Sequence, residues 1–120
     1  MRWIFLTGKD WSTRALLRAE LREDGVHVDA LEDSIEVGLV VEAAGLLPSL
    51  IVADLSSSDD PEAETYELAT LAWAVPIWII AGSTMTLPKN LMGGEFEKIL
   101  FKPLDAGELV KQINQRLDKV

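Results

Sequence analysis

The sequence predicts a single α/β domain in which a five-stranded parallel sheet lies between two layers of helices. Three observations support this fold class. Apolar runs typical of strands alternate with segments whose apolar residues recur at helical spacing, as in βαβ units. The third and fourth runs, SLIVADL and VPIWIIAG, are almost continuously apolar, as expected for strands covered on both faces. The length of 120 residues suits one domain with its own core, spanning residues 1–120.

Each element has a signal of its own in the sequence. The predicted strands are residues 2–7, 26–31, 49–55, 75–82 and 98–102. The predicted helices are residues 10–25, 33–45 and 60–73, one or two turns within 87–94, and a last helix that starts at Asp105. Gly25 ends the first helix, and Pro61 stands at the start of the third, where proline is tolerated. Asp105 and Glu108 form a D-x-x-E pattern similar to a capping box.

Composition excludes several classes of function. The chain carries 20 acidic residues against 11 Lys and Arg, which argues against nucleic acid as a partner because phosphate contacts need a basic patch. It has no cysteine, so disulfides, thiolate metal sites and a cysteine nucleophile are excluded. Its longest apolar stretch is shorter than a membrane span and contains a proline, and no signal peptide is visible. His27 is the one histidine, which gives no support to a histidine metal site or a catalytic triad.

The chemistry of such a sheet is expected beyond the carboxyl ends of its strands. The segments predicted to lie there are residues 7–10, 54–57, 81–83 and 102–103. Lys102 ends the last apolar run, and lysine is almost never fully buried without a partner. The sequence therefore raises the question of which negative charge faces its ammonium group.

The chain resembles a response-regulator receiver domain of the CheY-like family over its whole length. The segment PSLIVADL places Asp54 at the family's phospho-acceptor position, and KILFKP places Lys102 at its phosphate-site lysine, followed by Pro103. VPIWIIAGS matches the family's fourth strand, and STRALLRAELREDGVHV matches its first helix and second strand. The ordered combination of these pieces, rather than any single motif, carries the resemblance.

The resemblance implies the strand order 2-1-3-4-5, which flavodoxins share, with Lys102 facing Asp54. It also implies a stand-alone signalling domain of a two-component phosphorelay system, located in the cytoplasm and not itself an enzyme. The expected partner is a protein, either a histidine kinase or a downstream signalling protein, and a homodimer is an alternative. Neither nucleic acid nor a membrane is expected as a partner. In the family, such contacts usually involve the face built by helix four, strand five and helix five.

The sequence departs from the receiver pattern at several positions. Receivers place two acidic residues after the first strand to bind a magnesium ion, which neutralises the transferring phosphoryl group. Aligned on Arg14, these positions fall on Gly8 and Lys9, which cannot bind a cation. The expected hydroxyl at the end of strand four is Ala81, the aromatic residue before the lysine is Ile99, and the Met-Pro turn has become LSSSDDPEAE. We therefore expect a degenerate receiver with no Mg²⁺ cofactor, no metal ligands and no catalytic residue, which acts through protein–protein interaction.

Two residues after the first strand leave alternatives open. Lys9 either substitutes for the metal, so that Asp54 lies between Lys9 and Lys102, or is a solvated charge in a loop. Asp10 either caps the first helix or is the residual acid of a competent receiver phosphorylated on Asp54. A further alternative function is small-molecule binding of the flavodoxin type, with an anion at the N-terminus of the first helix.

The four tryptophans are the remaining unusual feature of the composition. Trp73 and Trp78 are expected in the core because they lie in apolar segments. Trp3 and Trp11 are expected to be partly buried, with exposure at a partner or dimer surface as the alternative.

Overall fold

The computed structural model describes residues 2–85 and 94–119, and within them it shows a parallel sheet with helices on both faces. The strands are β1 (Trp3–Thr7), β2 (His27–Leu31), β3 (Leu50–Asp54), β4 (Ile77–Ala81) and β5 (Lys98–Phe101). The helices are α1 (Trp11–Glu23), α2 (Ser34–Ala44), α3 (Pro61–Ala69) and α4 (Ala106–Leu117). The strand order is β2-β1-β3-β4-β5 with every pair parallel, which confirms the predicted fold class and order. One or two helical turns are predicted within residues 87–94, of which residues 87–93 lie outside the described residues.

The core consists of two apolar clusters, one on each face of the sheet. Ile4 faces α1 and α4, whereas Phe5 faces α2 and α3, because successive side chains of a strand point to opposite faces. The α1/α4 cluster includes Leu17, Trp78 and Ile113, all at most 3% exposed. Full burial of a large apolar side chain contributes about 1.5–3 kcal/mol, so these two clusters provide the main stabilisation of the sheet.

Each helix in the described residues begins at an aspartate cap. The capping side chains of Asp10, Asp33, Asp60 and Asp105 accept the backbone N–H groups of Thr13, Glu36, Ala63 and Glu108, respectively. A cap of this kind stabilises a helix by about 1 kcal/mol. None of the helices described here is both long enough and apolar enough to span a bilayer.

The end of α3 corrects two predictions. The helix was predicted over residues 60–73, but it ends at Ala69, with Thr70 as its C-cap. Turns follow, in which the N–H of Ala74 donates to the carbonyl oxygen of Leu71 at 2.9 Å. Trp73 lies in these turns and is 87% exposed, so its predicted place in the core is wrong.

The other tryptophans differ in their burial. Trp78 is 1% exposed, which confirms its predicted place in the core. Trp3 is partly buried, as expected, and its indole N–H donates to Oδ2 of Asp29 at 2.6 Å. Trp11, the first residue of α1, is 69% exposed and so corresponds to the exposed alternative.

Candidate functional site

The register of the sheet brings the ends of β3 and β5 to the same edge. Asp54 pairs with Ile80 across β3 and β4, and Ala81 pairs with Phe101 across β4 and β5. Lys102 continues β5, since its N–H donates to the carbonyl oxygen of Ala81 at 2.9 Å. Nζ of Lys102 consequently lies 3.0 Å from Oδ2 of Asp54. The structure thus answers the question that the sequence raised: the charge opposite Lys102 is the Asp54 carboxylate.

The second oxygen of Asp54 is engaged by its own chain. Oδ1 accepts the backbone N–H of Ser56 at 2.9 Å and the Ser56 hydroxyl at 2.7 Å. The Asp54 side chain is 12% exposed, so these bonds are largely shielded from water. Both carboxylate oxygens therefore have partners. The role of Ser56 was not predicted from the sequence, although an aspartate often accepts the N–H of the residue two positions further on in a turn.

Gly8 allows the chain after β1 to pass close to Asp54. Its φ is +153°, a conformation that residues with a side chain rarely adopt. A Cβ at this position would lie 3.1 Å from Cβ of Asp54. The carbonyl oxygen of Gly8 accepts Nη1 of Arg14 at 2.8 Å, and the same nitrogen donates to the carbonyl oxygen of Leu31 at 2.9 Å. The backbone around Gly8 is thus fixed in a position that favours glycine.

Lys9 lies in the loop after β1 and pairs with Asp59 in the loop before α3. The hydrogen bond to Asp59 raises the pKa of Lys9 above its ordinary value. Lys9 is thus a charge in a loop, but it is paired with Asp59 and partly buried, whereas the second alternative made it solvated. The hypothesis that Asp54 lies between two lysines does not hold for this arrangement, because the Lys9 ammonium group is engaged by Asp59.

Asp10 is the N-cap of α1, and its carboxylate is used within that first turn. Oδ2 accepts the hydroxyl of Thr13 at 2.8 Å, and Oδ1 accepts the Thr13 N–H at 3.4 Å. The pKa of Asp10 is lowered, chiefly by the bond from the Thr13 hydroxyl and to a smaller extent by the positive charge of Lys102. Asp10 is therefore a cap whose charge lies close enough to the Asp54–Lys102 pair to interact with it.

A cavity of about 250 Å³ opens beside this pair, between α1 and the start of α4. Core residues that are at most 3% exposed form its apolar wall, among them Leu6, Leu17 and Leu109. Asp54 and Lys102 line it as well, so the charged pair and the cavity belong to one site.

Comparison with known proteins was informative at the level of structure only. No protein-family model and no curated protein sequence matches the chain. The response regulator receiver protein from Burkholderia phymatum superposes with a TM-score of 0.79 at 18% identity, covering 100% of this chain and 98% of its own. The signal receiver domain of the putative Luxo repressor protein from Vibrio parahaemolyticus gives 0.76 at 19% identity, covering 97% and 89%. The chain has the receiver fold.

The receiver fold alone does not determine a function. The Francisella novicida lysine decarboxylase LdcF also matches, with a TM-score of 0.69 at 19% identity, over 97% of this chain and 17% of that enzyme. A function can therefore be inferred only from the residues of the site.

The site lacks the side chains that the resemblance associates with phosphate and metal binding. Ala81, at the position of the expected hydroxyl, is fully buried, and Ser83 and Thr84 are exposed in the turn that follows. Ile99 packs against the α2/α3 cluster in place of the aromatic residue. Within residues 2–85 and 94–119, no group of three or more His, Asp or Glu side chains could bind a metal ion. Mg²⁺ in proteins is usually bound by one or two carboxylates together with several waters. At this edge both carboxylates are already engaged, Asp10 by Thr13 and Asp54 by Ser56 and Lys102, which leaves few lone pairs for the ion.

Ser56 occupies the position where the receiver pattern has proline. Proline carries no N–H, so it could not donate to Asp54. Ser56 donates twice, from its backbone N–H and from its hydroxyl. This departure from the pattern thus adds two bonds to the carboxylate at the phospho-acceptor position.

Proposed function

We propose that this chain is a receiver-like signalling domain of a two-component system that acts through protein–protein interaction and does not take up phosphate by the magnesium-dependent route. The observation that carries the proposal is the state of Asp54. Lys102 engages one of its oxygens, and Ser56 engages the other with two donors.

The chemistry of phosphoryl transfer supports this proposal. A receiver aspartate attacks the phosphorus atom with a carboxylate oxygen, and both oxygens of Asp54 already accept donors, which makes them weaker nucleophiles. The transferring group then has to be neutralised, which normally requires a divalent cation as well as a lysine. The positions that usually supply the acidic ligands of that cation are Gly8 and Lys9. The task therefore falls to Lys102 and Arg14, and Arg14 already donates to two backbone carbonyl oxygens. Reaction at Asp54 should accordingly be very slow.

The exposed residues near β5 support an output through protein contact. β5 is an edge strand of the sheet, and its last residue, Phe101, is 50% exposed. Aromatic residues are enriched at protein interfaces. The proposed partner is a cytoplasmic protein, either a histidine kinase or a downstream signalling protein, with self-association as the alternative. The domain itself is proposed to have no enzymatic activity.

Incubation with acetyl phosphate and MgCl₂, followed by intact-protein mass spectrometry, tests the proposal. The wild-type protein is expected to keep its mass, as is the matched Asp54→Asn variant, which lacks the acceptor. A mass increase of one phosphoryl group in the wild type but not in Asp54→Asn would overturn the proposal. It would support instead a competent receiver that uses Asp10 as its remaining acid.

A further inference from the structure

The cavity beside Asp54 and Lys102 combines an apolar wall with a balanced set of charges. Two carboxylates, Asp10 and Asp54, and two cations, Arg14 and Lys102, line it. The opposite wall consists of core residues from β1, α1, β4 and α4. We propose that this cavity binds a compact zwitterion with an apolar body, the chemistry of a hydrophobic α-amino acid.

The balance of charge argues for a zwitterion over other ligands. An anion in the cavity would be repelled by the two carboxylates, and a cation would be repelled by the lysine and the arginine. A purely apolar compound would remove water from four charged groups without replacing their hydrogen bonds, which is costly. A zwitterion can meet both signs at once, and its apolar part can lie against the core residues.

The donors and acceptors at the cavity have capacity left for such a ligand. Arg14 uses Nη1 for the carbonyl oxygens of Gly8 and Leu31, and its Nε and Nη2 have no hydrogen bond to any described residue. Lys102 contacts Asp54 with one of its three N–H donors and is 30% exposed. A ligand carboxylate therefore has Lys102 and Arg14 as partners, and a ligand ammonium group has the part-exposed Asp10.

The size of the cavity limits the ligand. Small-molecule sites usually measure roughly 300–1,000 Å³, so a cavity of about 250 Å³ takes a small metabolite and not a flavin nucleotide. Its accessible apolar lining consists of Pro103, Leu104 and Ala106, which are exposed or partly exposed and lie beside the buried core. Contact with these side chains favours a branched aliphatic body of the size found in leucine.

This inference goes beyond the proposed signalling role and does not depend on it. The acetyl phosphate experiment reports on the reactivity of Asp54, whereas ligand binding reports on the cavity. Either proposal can fail while the other stands.

Isothermal titration calorimetry with three probes tests the inference. L-Leucine is expected to bind the wild-type protein. Isocaproate lacks the ammonium group and isoamylamine lacks the carboxylate, so each is expected to bind at least about tenfold more weakly, a difference of about 1.4 kcal/mol. The absence of heat for all three probes at millimolar concentration would overturn the proposal. If isocaproate bound as tightly as leucine, the proposal that the ligand is a zwitterion would be overturned.

Two leucine substitutions locate the binding site. Ala106 lines the cavity at the first turn of α4, so Ala106→Leu should fill it and abolish binding. Ala15 is exposed on α1 and does not line the cavity, so Ala15→Leu should leave leucine affinity unchanged. NMR of the wild type is expected to show leucine-induced amide shifts in residues 6–17 and 102–109. Shifts confined to another surface would overturn the proposal even if Ala106→Leu failed to fold.

Discussion

At the scale of single residues, Ser56 distinguishes this site from the receiver pattern that it resembles. Its two bonds fix one oxygen of Asp54, while Lys102 fixes the other. The carboxylate is thereby satisfied without a metal ion or a phosphoryl group. A largely buried carboxylate would be costly if either oxygen lacked a partner, so these bonds offset the cost of placing the charge there.

Substituting Ser56 measures the strength of this arrangement. Ser56→Ala removes the hydroxyl donor but keeps the N–H, so we expect a loss of about 1.5–3 kcal/mol of unfolding free energy, as for a hydrogen bond to a charged group. Urea denaturation at neutral pH measures the change. The neighbouring Ser57 is exposed, and Ser57→Ala should stay within about 0.5 kcal/mol of wild type. Equal losses for the two variants would contradict the assigned role of Ser56.

A second prediction at this scale concerns Gly8. Gly8→Ala places a side chain at a φ of +153° and a Cβ 3.1 Å from Cβ of Asp54, so it should destabilise the domain by about 1–3 kcal/mol. Gly38→Ala is the matched control, since Gly38 lies within α2 and a Cβ there would meet nothing within 4 Å. That control should stabilise the protein by about 0.5–1 kcal/mol. The melting temperature should therefore fall below that of wild type for Gly8→Ala and rise above it for Gly38→Ala. Shifts of both melting temperatures in the same direction would refute the strain at Gly8.

At the scale of elements, the strands could be predicted because four of them lie in apolar runs, whereas the second, VHVDAL, alternates apolar and polar residues. The end of α3 was harder to predict because the apolar sequence LATLAWA continues past it. Pro76 disfavours a helical conformation only at residue 75, so it does not indicate an end at Ala69. At the observed end, the hydroxyl of Thr70 donates to the carbonyl oxygen of Glu67 at 2.6 Å.

The site could be predicted where it depends on the ends of strands and not where it depends on loops. Asp54 and Lys102 stand at the carboxyl ends of β3 and β5, the two strands on either side of β4, so strand order and register suffice to bring them together. Lys9 and Asp59 both lie in loops and are 50 residues apart in the chain. Nothing in the periodicity of the sequence indicates that these two loops meet, so the partner of Lys9 could not be predicted.

The contact between α4 and β5 makes stability depend on pH. Glu97, just before β5, accepts Nε of Arg116 in α4 at 2.9 Å and 3.0 Å, and it accepts the indole N–H of Trp78 at 2.7 Å. The bond from Arg116 lowers the pKa of Glu97 below its ordinary value of 4.5, assisted by Trp78 and Lys119. A depressed pKa in the folded state adds stability above pH 4.5, and that contribution is lost as the pH falls through the folded-state value.

Glu97→Gln isolates this contribution. The variant should be less stable than wild type at neutral pH, and the difference should narrow as the pH falls below about 4.5, because the wild-type carboxylate then also becomes neutral. Urea denaturation of both proteins over a series of pH values gives the comparison. If the difference in unfolding free energy between the two proteins stayed constant down to acidic pH, the role assigned to the Glu97–Arg116 pair would be contradicted.

At the scale of the whole molecule, the fold and the site are specified by different features of the sequence. The receiver fold is shared with proteins at 18–19% identity, which is consistent with a fold set by the pattern of apolar runs and helices. The site depends on a few individual residues, which can change without disturbing that pattern. This independence explains how the chain can keep the fold, with Asp54 and Lys102 in contact, while Gly8, Lys9 and Ser56 stand where the receiver pattern has other residues.

The net charge of −9 provides a test of the molecule as a whole. Like charges repel in the compact state, so stability at neutral pH should rise from low to moderate ionic strength, as the screening length falls to about 10 Å at 0.1 M salt. At matched ionic strength, MgCl₂ and NaCl should give the same melting temperature, because the described residues offer no set of metal ligands. A cation that binds the folded protein, at a free concentration of 100 times its dissociation constant, would add about 2.7 kcal/mol to the unfolding free energy, which melting curves detect readily. An excess stabilisation by MgCl₂ that disappears in Asp54→Asn would show that Asp54 belongs to a working metal site.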